Sequence, residues 1–182
     1  MRSRGNVTAD ERLRLFCALR LPDEILDALV PWQERHLSGG RIVPRDHLHV
    51  TTAFLGSTPA AEVDGIASAV GGADAFEPIR FRVRTYRETR SVGMLVLDDL
   101  GGQAGLYAER LHERLAALGV YRPEKRRWLP HVTVLRFRQA PRLRPPLPEI
   151  GEFGPSDASV YLSRLSPSGA QYEVLESFAL GG

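Results

Sequence analysis

The tripeptide His-Val-Thr occurs twice in this chain, at 49–51 and at 131–133. Each copy begins an apolar run that is typical of a β-strand, and each follows a basic segment that contains proline. A strand pattern and a helix pattern precede both basic segments, and the strand begins near Leu13 in one copy and near Val92 in the other. A supersecondary unit that recurs in this way predicts a fold made of two related halves.

Hydrophobic periodicity and turn residues predict strands and helices along most of the chain. Strands are expected near 14–19, 48–55, 79–87, 92–97, 131–137, 158–165 and 172–180. Helices are expected from Pro22, from Thr58 and over 103–118. Pro31 falls inside the first helical pattern and should kink or end it. The mixture predicts the α+β class, with the proline-rich segment 141–148 as a loop or a linker between lobes.

The composition favours one domain over 1–182 and excludes several classes of protein. Hydrophobic residues make up 43% of the 182 residues, which is too many for a disordered chain. No apolar run approaches the roughly 18 residues that span a bilayer, so we expect no membrane span. The single cysteine, Cys17, excludes an internal disulfide, and we expect it to pack in the core. The charged N-terminus lacks a secretory signal, so we expect a cytoplasmic protein with residues 1–12 as a flexible extension.

The repeated tripeptide has the composition of an acid–base site. Residues i and i+2 of a strand share a face, so His49 lies beside Thr51, and His131 beside Thr133. Imidazole titrates near neutral pH, so two histidines can supply one base and one acid for phosphoryl transfer without a metal. Threonine hydroxyls can donate hydrogen bonds to phosphate oxygens. We therefore predict that both copies face a single cleft and that the two histidines are catalytic.

The segments LHVTTAFLG at 48–56 and PHVTVLR at 130–136 also resemble the signatures of a known family. They are similar to the paired His-x-Thr motifs of the two-histidine phosphoesterases, and in particular of the RNA 2′,3′-cyclic phosphodiesterases, also called 2′-5′ RNA ligases. The segment RLFCALRLP at 14–22 resembles the opening strand and helix of that family, and 163–180 resembles its closing strands. The resemblance thus covers nearly the whole chain.

The resemblance implies a bilobal fold, with two pseudo-symmetric antiparallel sheets and flanking helices around a central cleft. It implies an enzyme that opens RNA 2′,3′-cyclic phosphate ends with water to give a 2′-phosphate. The reverse reaction, 2′-5′ joining of RNA ends, would be a secondary activity. No cofactor is implied, and we expect the partner to be RNA, with the enzyme acting as a monomer.

The resemblance also assigns roles to individual residues. His49 matches the histidine that protonates the departing 3′ oxygen, and His131 matches the one that activates water. Thr51 and Thr133 would bind phosphate oxygens. Arg136, five residues after the second histidine, matches an arginine that reaches the phosphate. Strict alternation places Arg136 on the face opposite the histidine, so this role requires a β-bulge.

Arg126 stands five residues before His131, as an arginine of the resembled family does, and is therefore our first choice for a substrate contact from the basic loop 122–127. Family members often carry a tryptophan where this chain has Met94 and Leu95. Aromatic residues that could stack on a base in its place are Phe54, Tyr86 and Trp128.

The three remaining histidines are less suited to catalysis. His47 and His49 could begin a metal site, but no third ligand stands out, so we predict no metal and expect His47 to lie beside the cleft. His36 and His112 fall on predicted helices and are expected to be solvated or capping.

Two alternatives to this activity remain open from the sequence. The first is a non-catalytic module that binds RNA or nucleotides on the same scaffold. The second is a phosphodiesterase for a small cyclic nucleotide or a cyclic-phosphate sugar.

Overall fold

The computed structural model describes residues 11–75 and 77–180. The strands are β1 (Arg12–Arg20), β2 (Arg41–Ile42), β3 (His49–Pro59), β4 (Phe81–Glu88), β5 (Val92–Asp99), β6 (His131–Arg136), β7 (Glu152–Phe153), β8 (Asp157–Ser166) and β9 (Gly169–Ala179). The helices are α1 (Asp23–His36), α2 (Val63–Gly71) and α3 (Gln103–Ala117), with short 3-10 turns at Arg45–His47 and Ala60–Glu62.

The strands form an antiparallel sheet in the order β7-β4-β5-β6-β3-β1-β8-β9, with β2 paired to β6. The two motif strands, β3 and β6, are neighbours at its centre, and Val50 and Val132 are their paired residues. On either side of this seam the chain follows the same path. Strand β1 leads through α1 to β3, and β5 leads through α3 to β6. The predicted α+β class and its two related halves are confirmed, and the seam joins the two expected sheets edge to edge.

One face of the sheet carries the main core. Alternate side chains of the strands, such as Leu15, Cys17 and Leu19 of β1, are fully buried there. All three helices pack onto this face, with Leu29, Ile66 and Leu111 in the same apolar cluster. The expectation that Cys17 packs in the core is confirmed, and its burial raises the pKa of the thiol to about 12. The motif valines point into this core, so the side chains next to them face the other way.

Three details differ from the sequence-based expectations. Helix α1 continues through Pro31 to His36, with Pro31 exposed. Strand β3 runs on to Pro59, because β1 pairs with its full length, and the next helix begins only at Val63. Strand β1 begins at Arg12, so this residue belongs to the sheet and not to the predicted flexible extension 1–12. The rest of that extension, residues 1–10, lies outside the described residues.

No helix among the described residues is long and apolar enough to cross a membrane.

Candidate active site

A cavity of about 620 Å³ lies on the face of the sheet opposite the helices. The motif side chains that line it are His49, Thr51, His131 and Thr133. The antiparallel pairing of Val50 with Val132 puts the two histidines at diagonal register positions. Diagonal neighbours on adjacent strands lie about 7–8 Å apart, which leaves room for a phosphate between them. The prediction that both copies face one cleft is confirmed.

His49 sits in an aromatic wall. Its ring stacks on Phe16 with 5.1 Å between centroids, and Tyr161 and Tyr172 lie 6.0 and 5.8 Å away. Its Nε2 is 3.0 Å from Oγ1 of Thr51. Burial removes water from the imidazole and lowers its pKa to about 4, which outweighs an opposing hydrogen bond to the backbone of His47. The His49 ring is therefore neutral at pH 7 in the free protein.

The backbone just before β6 orients the ring of His131. Its Nδ1 lies 2.8 Å from the carbonyl oxygen of Leu129. A carbonyl oxygen only accepts, so Nδ1 carries the hydrogen and Nε2 of the neutral ring keeps its lone pair. Within residues 11–75 and 77–180, Nε2 has no hydrogen-bond partner. His131 is thus held in the tautomer that a general base requires.

A bulge in β6 aims Arg136 into the cavity. Gly93 of β5 pairs with Leu135 and the next residue, Met94, pairs with Thr133, so Val134 is an extra residue in β6. Val134 and Leu135 are both buried, and Arg136 emerges on the same face as the histidine. The sequence required such a bulge for Arg136 to reach the site, and the structure contains it.

The first motif has the same bulge at the equivalent position. Cys17 of β1 pairs with Ala53 and Ala18 pairs with Thr51, so Thr52 is the extra residue of β3. Phe54 is consequently turned towards the cavity and is 55% exposed. Phe54 and Arg136, each five residues after a histidine, are therefore counterparts in the two halves.

Each bulge is held by a side chain from a helix. Nε2 of Gln33, on α1, donates to the carbonyl oxygens of Val134 and Val43 at 2.9 and 3.0 Å. Nε2 of His112, on α3, lies 2.6 Å from the carbonyl oxygen of Thr52.

The expectation that His112 is solvated or capping is wrong, because its half-buried ring packs on Tyr121 with 4.8 Å between centroids and supports the first bulge. Nothing in the local sequence of α3 shows this, since the partner lies 60 residues away.

The cavity is rich in cations. Arg14, Arg41 and Arg136 line it, and no aspartate or glutamate does so among the described residues. None of these three arginines makes an ion pair with a carboxylate of residues 11–75 or 77–180. Unpaired guanidinium groups around a polar cavity favour an anionic ligand, and a fork of N–H donors suits phosphate oxygens.

Of the other residues predicted to contact the substrate, one lines the cavity and three do not. Arg126 lies outside the cavity, with an exposed guanidinium 3.3 Å from Glu124. Among the aromatic candidates, Phe54 lines the cavity and carries the guanidinium of Arg14 at 5.2 Å from its ring centre. Tyr86 donates to Glu88 at 3.1 Å, and Trp128 donates to the carbonyl oxygen of Thr51 at 3.0 Å. Neither of these two residues lines the cavity.

Sequence reasoning missed the aromatic wall. Phe16 comes from β1, Tyr161 from β8 and Tyr172 from β9, and only the sheet order brings them to His49. His47 lines the cavity, as expected for a residue beside the cleft, and its ring packs against Tyr172 at a tilt, with 4.3 Å between centroids. No group of His, Cys, Asp or Glu side chains suited to a metal ion occurs in the part of the chain that the structure describes.

The chain is similar to known phosphoesterases in sequence. Residues 19–89 match the family model described as LigT like phosphoesterase. The RNA 2′,3′-cyclic phosphodiesterase of Thermus thermophilus is 33% identical over 187 residues, which cover 93% of this chain and 91% of the relative. The Escherichia coli protein of the same name is 26% identical over 194 residues, covering 93% of this chain and 98% of the relative.

Solved structures share the fold. A protein of Thermus thermophilus superposes with a TM-score of 0.77 at 31% identity, over 92% of this chain and 98% of that one. Escherichia coli LigT in its apo form superposes with a TM-score of 0.76 at 26% identity, over 95% of this chain and 100% of that one. Together with the two motifs facing one cavity, these similarities show that the chain belongs to the LigT-like phosphoesterase family.

Proposed function

We propose that this protein hydrolyses the 2′,3′-cyclic phosphate at the end of an RNA to a 2′-phosphate, by acid–base catalysis between His49 and His131. The observation that carries the proposal is the diagonal placement of two imidazoles over one cavity lined by arginines and threonines. Relatives that are alike over most of their length are named RNA 2′,3′-cyclic phosphodiesterase, which supports the same substrate.

The reaction begins at His131. Its Nε2 takes a proton from a water molecule, and the water oxygen attacks the phosphorus atom in line with the 3′ oxygen. The bond between phosphorus and the 3′ oxygen breaks, and His49 gives its proton to that oxygen. The product carries a 2′-phosphate and a free 3′ hydroxyl. Proton exchange with solvent then returns both histidines to their starting states.

Charge that develops on the non-bridging phosphate oxygens is stabilised by donors already in place. Thr51 and Thr133 line the cavity, each opposite a histidine of the neighbouring strand, and Arg136 lines the same cavity. Donors fixed by the sheet need no reorganisation when the charge develops, and each can lower the barrier by about 3 kcal/mol. The chain supplies these donors itself, so we propose that the reaction needs no metal or cofactor.

His49 acquires its proton together with the substrate. In the free protein burial lowers its pKa, so the ring is neutral at pH 7. A cyclic phosphate carries a negative charge, and an anion next to an imidazole favours the charged form of the ring. Substrate binding therefore raises the pKa of His49 and prepares it to act as the acid.

Other contacts place the rest of the RNA end. Phe54, with Arg14 over its ring, provides a face on which the terminal base can stack, a contact worth about 1–3 kcal/mol. Arg126 and its loop lie outside the cavity and guide the RNA backbone by charge. We propose that the protein acts as a monomer, formed by a single domain over 1–182. A single buried thiol suits the reducing cytoplasm.

The test uses a short oligonucleotide that ends in a 2′,3′-cyclic phosphate, with the position of the product phosphate read by chromatography. We expect 2′-phosphate product from the wild type. A 3′-phosphate product would contradict the assigned acid and base. RNA that binds equally well to wild type and to His49→Ala, with no turnover by either, would establish the non-catalytic alternative instead.

A further inference from the structure

A second cavity of about 990 Å³ adjoins the first. The two share Arg41 and Arg136, so these two side chains lie at the boundary between the cavities, next to β2. The remaining lining of the second cavity is Gly39, Gly40, Phe137, Arg138, Gln139, Ala140 and Pro141. We call this second cavity the side groove.

Two like charges stand opposite each other where the cavities meet. Arg41 of β2 is paired directly with Arg136 of β6 in the antiparallel register. Gly40 allows this close approach, because a Cβ there would collide with the carbonyl oxygen of Arg136. Like charges directly opposite on a sheet destabilise it. An anion between the two guanidinium groups removes that cost.

The side groove contains a third arginine and no compensating acid. Arg138 follows Arg136 by two residues and is exposed. No carboxylate lines either cavity among the described residues, and none of residues 11–75 or 77–180 forms an ion pair with Arg41 or Arg138. Arginines without a carboxylate partner bind polyanions, and several arginines along a groove can contact successive phosphates of one nucleic-acid strand.

We propose that the side groove binds the phosphodiester immediately 5′ of the cyclic phosphate, through Arg41 and Arg138, and so makes the enzyme selective for RNA chains over cyclic mononucleotides. This inference rests on the proposed function of the adjoining cavity. When the cyclic phosphate lies between the histidines, the nearest other negative charge on the substrate is its own 5′ phosphate. A mononucleotide lacks that group and leaves Arg41 facing Arg136.

The experiment compares kcat/KM for three substrates. They are adenosine 2′,3′-cyclic phosphate, the dinucleotide ApA ending in a 2′,3′-cyclic phosphate, and the same dinucleotide with a neutral methylphosphonate linkage. We expect the charged dinucleotide to be preferred by roughly tenfold over the neutral one, since an exposed ion pair changes an equilibrium by about threefold and two arginines contribute. Its advantage should also shrink as salt rises.

Variants locate the effect. Arg138→Ala should reduce the preference for the charged linkage by about threefold, and Arg138→Lys, which keeps the charge, should restore part of it. Arg35→Ala is the matched control, because Arg35 is an exposed arginine of α1 that lines neither cavity. That variant should keep the wild-type preference.

Each failure has its own meaning. If charged and neutral dinucleotides are hydrolysed at equal rates, the side groove does not read the upstream phosphate, although the proposed function stands. If Arg138→Ala and Arg35→Ala change the preference equally, the groove is not its source. If none of the three substrates is hydrolysed, the proposed function fails, and this inference fails with it.

Discussion

The imidazole Nε2 of His112 lies 2.6 Å from the carbonyl oxygen of Thr52, and this contact ties helix α3 to the bulge next to His49. Gln33 makes the matching contact from α1 to the bulge at Val134. Both bulges turn a cavity residue, Phe54 or Arg136, towards the substrate. The two halves thus hold equivalent bulges with different side chains, a glutamine in one half and a histidine in the other.

Substituting His112 should weaken catalysis without direct loss of a substrate contact. In His112→Ala the carbonyl of Thr52 loses its donor, which costs about 1–3 kcal/mol and frees the bulge. We expect kcat to fall by about tenfold, with a smaller change in KM. His112→Gln keeps an N–H donor, as Gln33 does in the other half, and should recover most of the rate. Equal loss in both variants would reduce His112 to a packing role.

Removal of either histidine that we propose as catalytic should abolish most of the turnover. His49→Ala and His131→Ala each lose a proton-transfer group, which contributes about 10²–10⁴-fold. Steady-state hydrolysis of the cyclic dinucleotide measures the loss, and circular dichroism confirms that the fold is kept. His36→Ala serves as the control, because this histidine lies at the end of α1 away from the cavity. Activity within tenfold of wild type in either active-site variant would refute the mechanism.

The imidazole of His49 should titrate far below the usual range in the free protein. Burial favours the neutral ring and lowers the pKa to about 4, compared with an ordinary value of 6.5. Proton NMR of the imidazole C–H resonances follows this directly, with His49→Ala to assign the signal. Inorganic phosphate should shift the pKa upwards, because its charge stabilises the imidazolium. A His49 signal that titrates near 6.5 without ligand would contradict the burial argument.

The same shift predicts how stability depends on pH. The unfolded chain protonates His49 before the folded protein does, so the unfolded state binds more protons between pH 6.5 and 4. The free energy of unfolding should therefore decrease as the pH falls through that window. Thermal melts of His49→Ala should show a smaller decrease than those of the wild type.

The two arginines predicted from sequence should differ strongly in effect. Arg136 lines the cavity, and removal of one fixed donor to a phosphate oxygen costs about 10²-fold or more in kcat. Arg126 is exposed and paired with Glu124, so Arg126→Ala should change kcat/KM by about twofold at low salt and less at high salt. Steady-state kinetics of Arg136→Ala and Arg126→Ala at two salt concentrations measure the two losses. Comparable losses would place Arg126 in the site.

Hydrolysis should continue in the presence of a chelator. The proposed proton transfers use only histidine, and threonine and arginine hold the phosphate. Preincubation with EDTA is expected to leave kcat within about twofold of the untreated enzyme, since the chain supplies acid, base and charge stabilisation itself. A loss that Mg²⁺ or Zn²⁺ restores would require a different mechanism.

The strand pattern of the sequence predicted the centre of the site, and long-range packing determined the remainder. His49 and Thr51 share a face because of strand periodicity alone, which is a local property. Phe16 and Tyr172 reach His49 only through the order of strands in the sheet. Arg126 and Arg136 looked alike in sequence, as arginines five residues from His131. The bulge in β6 brings Arg136 into the cavity, whereas Arg126 lies outside it, exposed and next to Glu124.

The pairing of Val50 with Val132 has a consequence for how the enzyme grips its substrate. Each of these two valines is preceded in its strand by one of the histidines of the site. The distance between the two imidazoles is therefore set at the centre of the sheet. We expect distortions of the outer strands to change this distance little. A bulkier side chain in the core under the valine pair would instead move His49 and His131 apart directly.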